Sequence, residues 1–339
     1  MKNECITITG VGSYLPEQIV QNYEIPGLRA ANKMYIKFWG TKTRRRMQPH
    51  EELTDMGVAS LTNAMEMAGC QAEHLDAILV ASSNICEQES EESRALFPRL
   101  ATRLRNRIGA LNAVAIDIEA GCAGFVVGLD VAVNYLKVAR FRRVAVVTID
   151  AFSRILDHSD PSGIIFGDGS GAAIVERTST GFGYIHSTFE SDTSHYSLAG
   201  VKWKLPSQGG GFFKPYFFVD TSLKMAEFVP KLVPRAVRRL LKESGITQDK
   251  IDLFLLHQPG RYLIEQWRKE LGISVDEAPE VHQQYACLSS SSVIVTLDTV
   301  VRDNRLKSGD MFLIAGVGIG WLWGAHLWKW NGPIQNRAI

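Results

Sequence analysis

The chain has few means of cross-linking itself. Its five cysteines, Cys5, Cys70, Cys86, Cys122 and Cys287, are odd in number, and no two are spaced as a C-x-x-C pair. Zinc-ribbon and disulfide-framework readings are therefore poor. No uncharged apolar run reaches the roughly 18 residues of a membrane span. The opening MKNECITITG is too polar for a secretory signal. A reduced, cytoplasmic location without a membrane partner is the expectation. Charge of one sign is missing as well. Lys plus Arg number 37 and Asp plus Glu 36, a net of +1, which leaves no footprint for general nucleic-acid binding. No glycine-rich loop has the spacing of a P-loop or of a G-x-G-x-x-G fingerprint between strand and helix.

What is present is a large core. With 339 residues, 45% of them apolar, the chain suffices for two medium domains or one large one. Short β-branched runs predict buried strands in ITITGVG, AILVASS (77–83), AVAIDIE (113–119), RVAVVTID (143–150) and AAIVE (172–176). Helical patterns fall between them at 55–69 and 91–109. The second half alternates likewise. YIHSTFES (184–191), FFKPYFFV (212–219), LFLLH (253–257), FLIAGVGIG and AHLWKW read as strands. Residues 225–245 read as one or two helices, with Pro230 and Pro234 limiting continuity, and 290–303 as a helix despite its β-branched residues. The alternation predicts an α/β fold with sheets covered on both faces. A weak internal echo runs through it. Cys122 and Cys287 each precede an apolar helix, an apolar strand, a glycine-rich turn and a second strand. The two cysteines then face each other across a pseudo-two-fold axis.

Cys122 lies in EAGCAGF, between the strand AVAIDIE and a long apolar helix. A thiol at a helix N-terminus feels the positive end of the macrodipole, which favours thiolate. Small neighbours leave backbone N–H groups open to a carbonyl oxygen, as in a nucleophile elbow. A buried inert thiol is the competing reading. A cysteine nucleophile wants a base. Of the eight histidines only His257 ends an apolar strand and enters a turn, HQPG, at a sheet edge where α/β proteins build sites. His158 and His195 fall in polar loops and read as solvated. AGVGIGWLWG (315–324) could present backbone donors, and FGDGSGAA (166–173), with Asp168, reads as supporting turn architecture. The basic run TKTRRR (41–46) suits either a phosphate-bearing donor or a solvated loop. The row Lys231, Arg235, Arg238, Arg239 and Lys242 reads as an exposed helix face. Trp321 and Trp323 read as core residues near the last glycine loop.

EAGCAGF, FGDGSGAA, LFLLHQPG and AGVGIGWLWG, in that order, resemble the β-ketoacyl-acyl carrier protein synthase III group of the thiolase superfamily. The resemblance implies a thiolase fold, five-layered α-β-α-β-α with two pseudo-symmetric halves, 1–178 carrying the cysteine and 179–339 the histidine. It implies a dimer, acylation of Cys122 with His257 as partner, and an oxyanion hole from the backbone N–H groups of Cys122 and Ile319. Acyl-coenzyme A or an acyl carrier protein thioester is then a substrate, and neither a cofactor nor a metal is expected.

Two departures narrow the resemblance. The family carries an Asn in a Gly-Asn-Thr-Ser stretch, and the matching YACLSSSS (285–292) places Cys287 there; Gly260 stands where the turn after the histidine usually has another Asn. Met34 and Phe38 fall near the family's Trp and Arg that clamp adenine. Losing one donor to the enolate of malonyl decarboxylation costs on the order of 100- to 1000-fold in rate, and a thiol is a weak substitute for an amide. KFWGTKTRRR, GVKWKLP and LFLLHQPGRYLIEQW look like the catalytic subunit of alkylquinolone-forming condensing enzymes. That resemblance implies fatty acyl transfer to a β-keto acid such as 2-aminobenzoylacetate, with loss of carbon dioxide. It implies a homodimer or a heterodimer with a related ketosynthase-like subunit. A conventional malonyl-using synthase, acyl transfer to oxygen or nitrogen, and a silent partner subunit are the alternatives.

Overall fold

The computed structural model describes residues 4–24, 32–84, 87–88, 94–138, 140–156, 161–179, 181–204, 214–219 and 223–332. Cys86 and His158 lie outside the described residues. Two sheets form the frame. The first runs, edge to edge, Cys5–Tyr14, Asp168–Thr178, Arg143–Ala151, Ala77–Ala81 and Val114–Ile118. The second runs Tyr184–Ser191, Leu322–Lys329, Met311–Gly318 and Leu253–Leu256. Pairing is antiparallel through the first three strands of each sheet and parallel at the fourth, so the same pattern is built twice.

Helices fill three further layers. Gly124–Lys137 and Ser291–Arg302 lie between the sheets, Leu53–Ala68 and Leu100–Arg107 cover the first, and Leu223–Ser244 and Arg261–Leu271 cover the second. Side-chain alternation along the strands explains how one sheet serves two cores. Leu253 and Leu255 point into the central core with Phe125, Leu129, Val293 and Leu297. Phe254 and Leu256 point the other way, against Val233, Val237 and Trp267. The first sheet behaves alike, with Ile78, Val80 and Val147 packed on Met56 and Leu61. Strands covered on both faces need no polar side, which is why the sequence shows continuous apolar runs. The result is the five-layered α-β-α-β-α thiolase fold.

Three elements differ from their sequence patterns. The helix expected over 91–109 is confined to Leu100–Arg107, with Arg94–Ala95 in a short strand pair. Pro98 cannot donate inside a helix, so the helix begins just after it. Residues Leu223–Ser244 form one continuous helix despite Pro230 and Pro234. The buried row Val229, Leu232, Val233, Ala236, Val237 and Leu240 holds it, packing outweighing two lost backbone bonds. The β-branched helix Ser291–Arg302 survives for the same reason, buried between two sheets.

The outer helix Leu53–Ala68 sits so close to the first strand that a Cβ on Gly10 would lie 2.1 Å from the Ala64 carbonyl oxygen and 2.9 Å from the Ala68 Cβ. No side chain can yield there, because the nearest obstacle is backbone. Gly10→Ala is expected to destabilise the fold by about 1–3 kcal/mol or more, read from the midpoint of chemical unfolding. An unchanged midpoint would refute this account of the helix–sheet contact.

Candidate active site

The strand Val114–Ile118 runs into a single tight turn, Gly121–Ala123, and then the helix Gly124–Lys137. Gly121 takes a left-handed φ of 49°, the backbone freedom that a sharp entry needs. Cys122 sits in that turn, 9% exposed. His257 directly follows the strand Leu253–Leu256, is buried, and donates its backbone N–H to Ala315 at 2.9 Å. The turn behind it is braced by buried Gln258, whose amide donates to the Leu256 and Pro279 carbonyls and accepts from the Val281 N–H. Gly260 leaves room for Trp39, since a Cβ there would meet the indole ring at 2.6 Å.

Cys287 arrives from a third direction. Its N–H donates to Ile165 at 2.9 Å and its carbonyl accepts from Gly167 at 3.1 Å, which pins it beside FGDGSGAA. The residue before it, Ala286, has φ 65° and ψ −165°, a conformation that favours glycine and costs on the order of 1–3 kcal/mol otherwise. Together, Cys122 Sγ, Cys287 Sγ and a ring nitrogen of His257 lie within 4.8 Å of one another, and all three residues are buried. Cys287 Sγ is 4.0 Å from His257 Nε2. The structure thus brings together the three side chains that the sequence singled out from distant positions.

Sequence reasoning missed the layer beneath them. Ser289 donates its hydroxyl to Cys122 Sγ at 3.5 Å and lies 2.8 Å from the Ser83 hydroxyl. Asp150 accepts from the Ser83 N–H at 2.8 Å and from the hydroxyls of Ser290 and Ser291. Burial pushes the Asp150 carboxyl up to about 6, against these donors. The signals were available: an acid ends the apolar run RVAVVTID, and four serines in a row, Ser289–Ser292, open a buried helix.

The two thiols are not equivalent. Cys122 is held well below the ordinary thiol value, first by a hydrogen bond from Cys287, then by the hydrogen bond and charge of His257 and by Ser289, while burial opposes. Cys287 is pushed well above it, because its proton is shared with the Cys122 sulfur and because it is buried. The pair therefore favours a Cys122 thiolate that accepts from a Cys287 thiol.

The last glycine loop closes against this turn. A Cβ on Gly318 would meet the Ala120 carbonyl at 2.4 Å, and the Cβ position of Gly121 is 3.5 Å from the Ile319 amide nitrogen. Above the sulfur lies a cavity of about 100 Å³. Its walls are apolar and include Trp39, Phe217, Met225, Leu263, Ile319 and Trp321.

The surrounding residues take definite places, some as expected and some not. Trp321 lines the cavity instead of only packing the core, and Trp323 is core. His195 is not simply solvated: its ring stacks on Phe228 and its carbonyl accepts from the Trp321 indole. TKTRRR is no loose loop, since Thr43–Arg46 pairs with Gln18–Gln21 and buried Arg44 donates to Asn22 and Gly163. Arg235, Arg238 and Arg239 are engaged with Glu190, Glu270 and Glu243. Phe38, half-exposed, stacks on Tyr262 with ring centroids 5.2 Å apart. Asp168 is buried and accepts from the Met47 and Ser153 N–H groups, an architectural role. Among the described residues no helix is long and apolar enough to cross a membrane.

Comparison with known proteins gives the arrangement a context. Residues 116–193 match the family described as 3-oxoacyl-[acyl-carrier-protein] synthase III, and residues 241–330 match its C-terminal part. A β-ketoacyl-[acyl-carrier-protein] synthase III of Caldanaerobacter subterraneus is 30% identical, with 96% of this chain and 97% of that protein covered. One from Neisseria meningitidis is 30% identical over 94% of this chain and 98% of its own length. The crystal structure of the Aquifex aeolicus synthase III superposes with a TM-score of 0.85 at 24% identity, covering 96% of this chain and all 100% of the other. The priming β-ketosynthase of a polyketide pathway superposes with a TM-score of 0.85 at 26% identity, covering 97% of each chain. With relatives this similar along nearly its whole length, the chain belongs to the 3-oxoacyl-[acyl-carrier-protein] synthase III family of condensing, acyl-transferring enzymes.

Proposed function

We propose that this chain takes a fatty acyl group onto Cys122 and joins it, with loss of carbon dioxide, to a β-keto acid of the 2-aminobenzoylacetate type. The observation that carries the reading is the thiolate-favouring Cys122 beside His257 at the floor of an apolar cavity, with a thiol where the family has an amide. In the first half-reaction the Cys122 thiolate attacks the thioester carbonyl. The oxyanion is received by the backbone N–H groups of Cys122 and Ile319, and the donor's sulfur leaves as a thiolate that takes a proton from solvent. In the second, the β-keto acid loses carbon dioxide, its enolate carbon attacks the Cys122 thioester, and the ketone product leaves. His257 donates to the enolate oxygen and the Cys122 thiolate is restored. Everything required is supplied by the chain and its two substrates, so the reaction needs no cofactor.

Three features support the finer parts. A β-keto acid on an aromatic ring releases carbon dioxide more readily than a malonyl thioester, so it suits a site with one strong enolate donor instead of two. A pocket near Trp39 lined in part by Lys37, Lys42 and Arg261 supports binding of the phosphates of coenzyme A or of a carrier's phosphopantetheine. The resemblance to a priming ketosynthase of polyketide formation favours a role in secondary metabolism. On this reading residues 1–178 and 179–339 are the halves carrying nucleophile and histidine, and the protein works as a homodimer or beside a related subunit. A silent subunit is disfavoured, since it needs neither Cys122 nor His257. A conventional malonyl-using synthase is the second reading, favoured by the curated relatives.

Mass spectrometry after mixing with octanoyl-coenzyme A is expected to show one acyl adduct on Cys122. Equal acylation of Cys122→Ala, or no adduct at all, overturns the proposal. The acyl-enzyme, challenged with β-keto acids, malonyl thioesters, amines and alcohols, should discharge onto the β-keto acid. Malonyl decarboxylation should run about 100- to 1000-fold below that of an Asn-bearing family member. Equal rates on malonyl-carrier protein would hand the assignment to the conventional reading. Alkylation of Cys122 by iodoacetamide should stay fast below the ordinary thiol pKa of about 8.5 and fall only as pH drops through the lowered value. Cys287→Ala removes the largest cause and should move that midpoint upward; an unmoved midpoint removes Cys287 from the role.

A further inference from the structure

We propose that Cys122, His257 and Cys287 form a reversible binding site for a thiophilic divalent cation such as Zn²⁺, which blocks the nucleophile while bound. Two sulfurs and one imidazole nitrogen are a soft donor set that selects zinc-like metals over magnesium or calcium. Zinc–sulfur and zinc–nitrogen bonds of about 2.3 and 2.0–2.1 Å put tetrahedral ligand atoms about 3.3–3.8 Å apart. Here all three atoms already lie within 4.8 Å of one another, and Cys287 Sγ is 4.0 Å from His257 Nε2. Small side-chain rotations close the difference, and the adjoining cavity gives them room. The fourth position faces that cavity, where water or an incoming carboxylate can complete the coordination.

The ligands come from three separated segments: a helix entry, a strand end and the turn carrying Ala286. The fold therefore assembles the triangle before any metal arrives. The third ligand exists only because residue 287 is a cysteine; an amide there would leave one thiol and one imidazole. Binding is charge-balanced. Each bound cysteine is a thiolate, any proton it carried passes to solvent, and the imidazole binds neutral, so affinity rises with pH. The site is not built as a permanent structural centre. His257 Nδ1 makes no hydrogen bond among the described residues, whereas metal-binding histidines usually donate that N–H to a fixed partner. The metal is thus an inhibitor and a guard of the thiol, displaced by chelation.

Metal binding involves the side chains and not the acyl group, so it can be measured without turnover. The full chain, reduced and metal-free, is titrated with Cd²⁺ or Zn²⁺ alone. A thiolate-to-cadmium charge-transfer band and native mass spectrometry report binding. One metal per chain is expected, with Cys122 protected from alkylation and released by a chelator. Cys287→Asn should weaken binding by at least about 10- to 100-fold, the loss seen when even an outer partner is removed. Should that variant not fold, Cys287→Ser gives the same comparison. Cys122→Ala should lose the band as well. Absence of 1:1 binding, or parental affinity in the Cys287 variants, overturns the site.

Discussion

The active-site geometry depends on one contact, the touching entries of the two central helices. Gly124 opens the first helix and Ser290 precedes the second; a Cβ on Gly124 would stand 3.0 Å from the Ser290 Cβ and 2.7 Å from that of Ala81. Only a residue without a side chain lets these helix ends meet so closely. Cys122 lies two positions before Gly124 and Cys287 three before Ser290, so the approach of the backbones sets the approach of the sulfurs. Each helix also points its positive end at that meeting place. A larger residue at 124 would separate the helices and the two thiols together.

Beneath this meeting place, Asp150 ties the two halves of the architecture to one another. It stands at the end of a first-sheet strand, yet it binds Ser290 and Ser291 at the start of the second central helix. A buried carboxyl without partners would be costly; with a backbone N–H and several hydroxyls it becomes a fixed joint. Ser83, which donates its backbone N–H to Asp150, continues through its hydroxyl and that of Ser289 to the Cys122 sulfur. The Cys122 sulfur is therefore met from below by polar groups, while the cavity above it is apolar. That division suits a thiolate that must be held still as a hydrocarbon chain is admitted.

Much of this was legible in sequence. The continuous apolar strands and their order gave the α/β alternation, because strands buried on both faces have no polar side to disguise them. Cys122 and His257 were legible because each sits at an abrupt change from apolar strand to small or turn-forming residues. Cys287 was legible through the internal echo that sets it opposite Cys122 and through resemblance to a stretch that normally holds Asn. Local patterns failed where tertiary packing decides the outcome. Pro230 and Pro234 promised a break and received none, since Val233 and Val237 anchor that helix. Ser83 and Ser289 are 206 positions apart, and no periodicity joins them. Arg44 read as part of a charged run, although its guanidinium is buried and satisfied by Asn22 and Gly163.

On the proposed reading, the exchange of amide for thiol at position 287 changes the cycle asymmetrically. Before acylation, Cys287 is the first of the groups that hold the Cys122 thiol below its ordinary value. After acylation the charge on Cys122 is gone, and Cys287 is left as a weak donor beside a thioester. On that reading the second half-reaction rests on His257 as its one strong enolate donor. Such a site selects for an acceptor that brings its own driving force. A β-keto acid whose carbanion is already stabilised by an aromatic ketone meets that demand, whereas a malonyl thioester leans on the donor that is missing. The same exchange makes the resting enzyme a pair of adjacent sulfurs beside an imidazole, the arrangement that a soft cation recognises. The proposed choice of acceptor and the proposed metal binding then share one origin, the side chain at 287.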